Sequence, residues 1–159
     1  MKTELSRKDG KRAEKPADIE IRTFGFFTVF VDGRAMLFRR SWSKAILAYL
    51  VDRRGQSVVR EVLADEVLNE ERYDTKIQNK LNVYIDEMKR QLKEAGIENI
   101  LICQKGEYAL DTTAFRCDLY DYLNDYNFPV REDPGTYLQE YEWARERRAF
   151  LHRVFWKEF

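Results

Sequence analysis

Twenty-two residues, Asp74 to Ala95 (DTKIQNKLNVYIDEMKRQLKEA), constrain this chain more than any other stretch. Ile77, Leu81, Tyr84, Ile85, Met88 and Leu92 recur at the i, i+4, i+7/8 spacing of a long helix buried along one face. At about 100° per residue, Thr75, Lys76, Asn79, Asn82, Val83, Asp86 and Arg90 point the other way. Thr, Asn and Lys near a helix N-terminus, with a small apolar residue among them, suit the edges of bases in a major groove. A solvated amphipathic helix would present the same residues. On this feature alone both readings stand, and the surroundings must decide.

The bulk numbers narrow the field. A chain of 159 residues holds one domain, or one with a short appendage, and 44% hydrophobic with 14% aromatic residues suffices for a core. No run approaches the roughly 18 apolar residues of a membrane helix, and the N-terminus is too polar for a signal peptide. A cytoplasmic location with no membrane partner is therefore expected. Cys103 and Cys117 lack CxxC or Cys/His spacing and read as reduced thiols in or near the core. Net charge is zero, which counts against nucleic-acid binding, whose usual footprint is basic. The charge is uneven, however: residues 1–15 hold six basic against three acidic groups, 16–113 fifteen against sixteen, and 114–159 seven against nine. Any affinity for DNA must come from local clusters such as Arg39, Arg40 and Lys44, or Arg53 with Arg54, because phosphate contacts supply most of it.

Along the chain, residues 1–17 carry almost no large apolar group and read as a disordered tail or linker. IEIRTFGFFTVFVDGRAMLF then predicts strands near 19–24, 26–31 and 35–38 in an antiparallel sheet, with Asp32-Gly33 as a tight hairpin turn. A first helix follows, with Ser41 or Ser43 as its N-cap and Trp42, Ile46, Tyr49 and Leu50 as its core stripe. It should stop near Arg53-Arg54-Gly55. Ser57-Val58-Val59 is a brief strand or bridge, and a short helix over 60–68 buries Val62, Leu63 and Val67. After the long helix, Ile100–Gln104 and Tyr108–Leu110 flank a short tip, a second hairpin. Sheet, two helices, long helix and hairpin is the order of a winged helix-turn-helix, and each element has the length that fold requires.

FxVxxDG, RRSxxKxxLAYLVDRRG, LxVYIxxMKRxLKEAGI and CDLYDYL together resemble the bacterial transcriptional activator domain over about residues 19–123. This is the OmpR/PhoB-like winged helix of Streptomyces antibiotic regulatory proteins and of some two-component response regulators. The resemblance implies an α+β winged helix-turn-helix with an N-terminal antiparallel β-sheet, a C-terminal hairpin wing and a helical extension. It also implies sequence-specific binding of double-stranded DNA for transcriptional regulation, and it allows RNA polymerase as a partner. Carried onto this chain, Thr75, Lys76, Asn79, Asn82 and Val83 would face the major groove. Arg39, Arg40 and Lys44 would contact phosphate, with Lys105 at the wing tip. Asp86 and Glu107 depart from the pattern, being acids where phosphate is expected. Asp86 would accept from a cytosine amino group or pair with Arg90 (i, i+4).

Residues 18–123 are thus expected to form the DNA-binding domain and 124–159 a loop plus helical extension. In the extension a helix from about Glu142 would carry Trp143, Phe150, Leu151 and Val154 on one stripe. That helix either folds back on the domain or mediates a homodimer, since its end, Phe155-Trp156-Lys157-Glu158-Phe159, is unusually apolar. His152, the single histidine, has no catalytic partner in sequence, and no nucleophile elbow, P-loop, dinucleotide glycine pattern or metal spacing occurs. Neither an enzyme, a cofactor nor a metal is expected. The class that competes with DNA binding is a winged helix reused for protein–protein contact.

Overall fold

The computed structural model describes residues 16–157, so the expectation for the tail falls largely outside the described residues. Two turns of the same kind shape the β-structure. Asp32 and Gly33 both take positive φ (50° and 82°), as do Lys105 and Gly106 (52° and 76°). Paired left-handed residues make the two-residue turn whose twist matches that of a hairpin. The first turn joins β2 (Thr28–Val31) to β3 (Arg34–Ala35), and the second joins β5 (Leu101–Gln104) to β6 (Glu107–Leu110).

β1 (Ile19–Arg22) pairs antiparallel with β2, placing Ile19, Ile21 and Val29 on the buried side. A fourth strand, β7 (Arg116–Cys117), joins the other edge parallel to β1. Sequence patterning missed it because Arg116-Cys117 lacks the β-branched pair that marks Val58-Val59, and its partner strand lies far away in the chain. β4 (Val58–Val59), the expected brief strand, completes a second sheet in the order β4-β6-β5.

Three helical elements contribute to the core that both sheets share. α1 (Ser41–Asp52) is buried from Ala45 to Asp52. α2 begins as Arg60–Val62 and continues as a π-turn over Leu63–Val67. α3 (Thr75–Glu94) starts on Asp74, whose carboxylate accepts from Ile77 N at 3.0 Å and satisfies one of the helix's free amides. Ile77, Leu81, Ile85, Met88 and Leu92 are buried as the periodicity predicts, with Tyr84 half-buried.

Several local expectations are corrected. Arg40, not a serine, occupies the cap position of α1 and makes no side-chain cap bond. Ser43 Oγ instead donates to the Tyr84 carbonyl at 2.7 Å, tying α1 to α3. Trp42, Val62 and Phe150 are exposed rather than core; Trp42 lies in the first turn of α1, its ring tilted beside that of Tyr84. Cys103 is exposed on β5, while Cys117 is buried. Burial, with the neighbouring Asp118 carboxylate, holds the Cys117 thiol well above its ordinary range.

α4 (Asp118–Asn124) is fixed by its first residue. The Asp118 carboxylate accepts from Thr23 N (2.8 Å), Thr23 Oγ1 (2.6 Å), Phe24 N (3.0 Å) and Leu119 N (2.8 Å). The extension folds back on this frame. Tyr137 bridges Phe24, Leu138 N donates to Thr23 O at 2.7 Å, and both Glu140 oxygens accept from Phe27 N at 3.1 Å. A 3-10 turn (Glu142–Ala144) leads into α5 (Arg145–Lys157), whose one buried residue is Leu151. Tyr137, Leu138, Ala144 and Leu151 belong to the same hydrophobic core as α1 and α3.

Candidate nucleic-acid interface

The outward face of α3 is built by default: once the apolar stripe is buried, what remains faces solvent. Thr75, Lys76, Asn79, Asn82, Val83, Asp86 and Arg90 are all exposed. Thr75, Lys76 and Asn79 have no hydrogen-bond or ion-pair partner among the described residues. Asn82 differs, since its Oδ1 accepts from Arg60 Nη2. Arg90 pairs with Glu87 rather than with Asp86.

Two other groups on this helix turned out to be structural. Gln91 and Glu87 are buried at the margin of the stripe. Gln91 accepts from Arg39 N (3.1 Å) and donates to Leu37 O (2.7 Å), pinning the segment between β3 and α1 onto α3. Glu87 receives Arg39 Nη1 at 3.0 Å, and Glu94 receives Arg39 Nη2 at 2.6 Å. The Arg39 bond, followed by the nearby Arg90 charge, holds the Glu87 carboxyl below its ordinary value of 4.5 against the opposing effect of burial.

The three expected phosphate contacts are therefore unequal. Arg39 has both arms of its guanidinium on acids. Lys44 is turned toward Glu140 of the extension, 3.9 Å away. Arg40 is exposed and has no ion pair among the described residues. Lys105 sits at the tip of the β5–β6 hairpin, also unpaired among the described residues, while Glu107 lies within β6.

One residue here escaped sequence reading. Arg60, at the start of α2, donates to Tyr73 Oη and Tyr108 Oη, both at 2.9 Å, besides Asn82. It links the approach to α3, the hairpin sheet and the exposed face of α3. Nothing in its local sequence marks it, because all three partners are distant in the chain.

Among the described residues no group of three or more His, Cys, Asp or Glu side chains is placed to hold a metal ion, and no helix is long and apolar enough to cross a membrane. No family model matches the sequence, and no curated protein matches it. The fold is similar to a solved structure of Mycobacterium tuberculosis EmbR in complex with a low affinity phosphopeptide, with a TM-score of 0.65 at 17% identity. The match covers 87% of this chain and 43% of that one, so the chain spans less than half of that protein. The likeness establishes a winged-helix-like α+β fold.

Proposed function

We propose that this chain binds double-stranded DNA sequence-specifically and regulates transcription, as a stand-alone regulator or as the output part of a response regulator. The supporting observation is the face of α3, where Thr75, Lys76 and Asn79 are exposed and uncommitted beside Val83. Next to it stands a hairpin ending in Lys105-Gly106. In this reading Asn79 and Asn82 read base edges while Arg40 and Lys105 touch phosphate. Arg39 and Lys44 would first have to exchange Glu87, Glu94 and Glu140 for phosphate, which ranks them behind Arg40. RNA polymerase and a second copy of the chain are further partners of this reading, the latter through the exposed Phe150 and Trp156 of α5. No catalytic role forms part of it.

A specific feature favours a second reading, protein–protein docking. A cleft of about 530 Å³ is lined by Trp42, Tyr141 and Trp143 together with Asp65, Glu66, Glu140 and Glu142. Selection from a pool of random duplex DNA at two salt concentrations separates the two. A DNA-binding chain enriches a motif, and its affinity falls steeply as salt rises. A chain that retains nothing even at low salt has put the fold to protein contact.

A further inference from the structure

The guanidinium of Arg60 is a rigid planar fork, so its bonds to Tyr73, Tyr108 and Asn82 constrain one another's directions. A second link reinforces the arrangement: the Lys89 ammonium of α3 lies 5.6 Å from the centre of the Tyr108 ring on β6. The reading helix and the hairpin are thereby held in one register.

The bond to Asn82 limits what that residue can recognise. An unconstrained Asn on a reading helix pairs with adenine through both ends of its amide, accepting from N6 and donating to N7. Here Oδ1 is turned to Arg60. Arg60 has no acceptor, so it can hold only the oxygen end of the amide, and the two Nδ2 N–H groups are left without a partner among the described residues. Thymine O4, guanine N7 and O6, and adenine N7 are acceptors on the major-groove edge, whereas cytosine presents an amino donor and no acceptor.

Resting on the DNA-binding reading above, we propose that Arg60 is a positioning residue for specificity: it locks Asn82 as a hydrogen-bond donor and so selects against cytosine at the base Asn82 faces. Arg60 itself need not touch DNA. Its loss lets the Asn82 amide turn over, and the preference at that one base broadens. An Arg60 that served only to hold the fold together would lower stability and leave base preference unchanged.

The test is selection from random duplex DNA with the full chain, comparing the unaltered protein with Asn82→Ala, Arg60→Lys, Tyr73→Phe and the Asn82→Ala/Arg60→Lys pair. Thermal melts of each variant check folding. Asn82→Ala identifies the base position by flattening it, and the unaltered chain should show cytosine depleted there. Arg60→Lys keeps the charge but not the fork, and should reduce the preference at that position about tenfold while sparing the others. Added to Asn82→Ala, it should change nothing further. Tyr73→Phe removes one anchor of the fork and should broaden the same position in part. Should Arg60→Lys fail to fold, Tyr73→Phe carries the test. Cytosine at the Asn82 position, or an undiminished preference in the folded fork variant, overturns the proposal alone. An unaltered chain that enriches no motif overturns the DNA-binding reading and this inference with it.

Discussion

Asn79 and Arg40 are both exposed and unpaired among the described residues, yet they offer different chemistry. An amide reads base edges; a guanidinium ahead of α1 meets the backbone whatever the sequence. Asn79→Ala should therefore lower the ratio of operator to random-DNA affinity, by about 1–3 kcal/mol for a good base contact. Arg40→Ala should weaken both alike and reduce the slope of log affinity against log salt by about 1. Titrations on a selected motif and on random duplex, at several salt concentrations, distinguish them. Equal losses on both DNAs for Asn79→Ala would remove it from the reading set. A different residue carries stability. Asp52 is buried at the end of α1, where Oδ1 accepts from Tyr137 Oη and Arg147 Nε, both at 2.6 Å. Burial is the main reason that Tyr137 keeps its proton far above the usual phenol range. Arg147→Met leaves the carboxylate with the more distant Arg53 (3.5 Å) as its ion-pair partner. The cost should be about 3–5 kcal/mol, readable by denaturant unfolding. A loss under 1 kcal/mol would mean solvent replaces the pair. None of this was legible in the sequence, since Asp52 and Arg147 stand 95 positions apart.

α3 shows what a single element reveals and hides. Its boundaries and apolar stripe could be read directly, because one strong period of 3.6 over twenty residues has no competing interpretation. The Asp32-Gly33 hairpin was equally legible, because its turn chemistry is local. The roles of Glu87 and Gln91 were not. Both are polar and lie at the edge of the stripe, and only the segment between β3 and α1 folding over them makes them interior. Acid should reveal the Glu87 contribution. Its folded value lies below the unfolded one, chiefly through the Arg39 bond, so the stabilisation is present above about 4.5 and is lost as pH falls through the lower folded value. Asp118 runs the other way. Burial outweighs its hydrogen bonds and raises it above its ordinary 3.8, so its contribution is present below that value and lost as pH rises through the folded one. Melting temperatures of the Glu87→Gln variant should accordingly change less with acidification below pH 4.5 than those of the unaltered chain. Parallel profiles would show that the Arg39–Glu87 pair is not linked to folding.

At the scale of the whole molecule, the extension decides how much of the chain is one folding unit. The sequence suggested a change of character after Leu123, because Pro129, Pro134 and Gly135 break the periodic pattern. Contacts made at long range run against such a local signal. Tyr137, Leu138 and Leu151 each reach 0% exposure in the core they share with α1 and α3. The loop before α5 also satisfies backbone groups of the β1–β2 connection, through Leu138 N to Thr23 O and Glu140 to Phe27 N. Burying side chains of that size contributes about 1.5–3 kcal/mol each. Removing three of them, and leaving Asp52 without Tyr137 and Arg147, costs an amount comparable with the roughly 5–15 kcal/mol by which a domain is stable at all. A chain ending at Leu123 should therefore not unfold cooperatively, and its amide NMR spectrum should lose the dispersion of the full chain. Lys44 sharpens the expectation, because its one acidic partner among the described residues, Glu140, lies beyond the cut. If the shortened chain does fold, Lys44 is released toward DNA and phosphate-driven affinity should rise at low salt. A well-dispersed spectrum with unchanged salt dependence would show instead that the extension is an appendage, and that the Lys44–Glu140 contact restrains nothing.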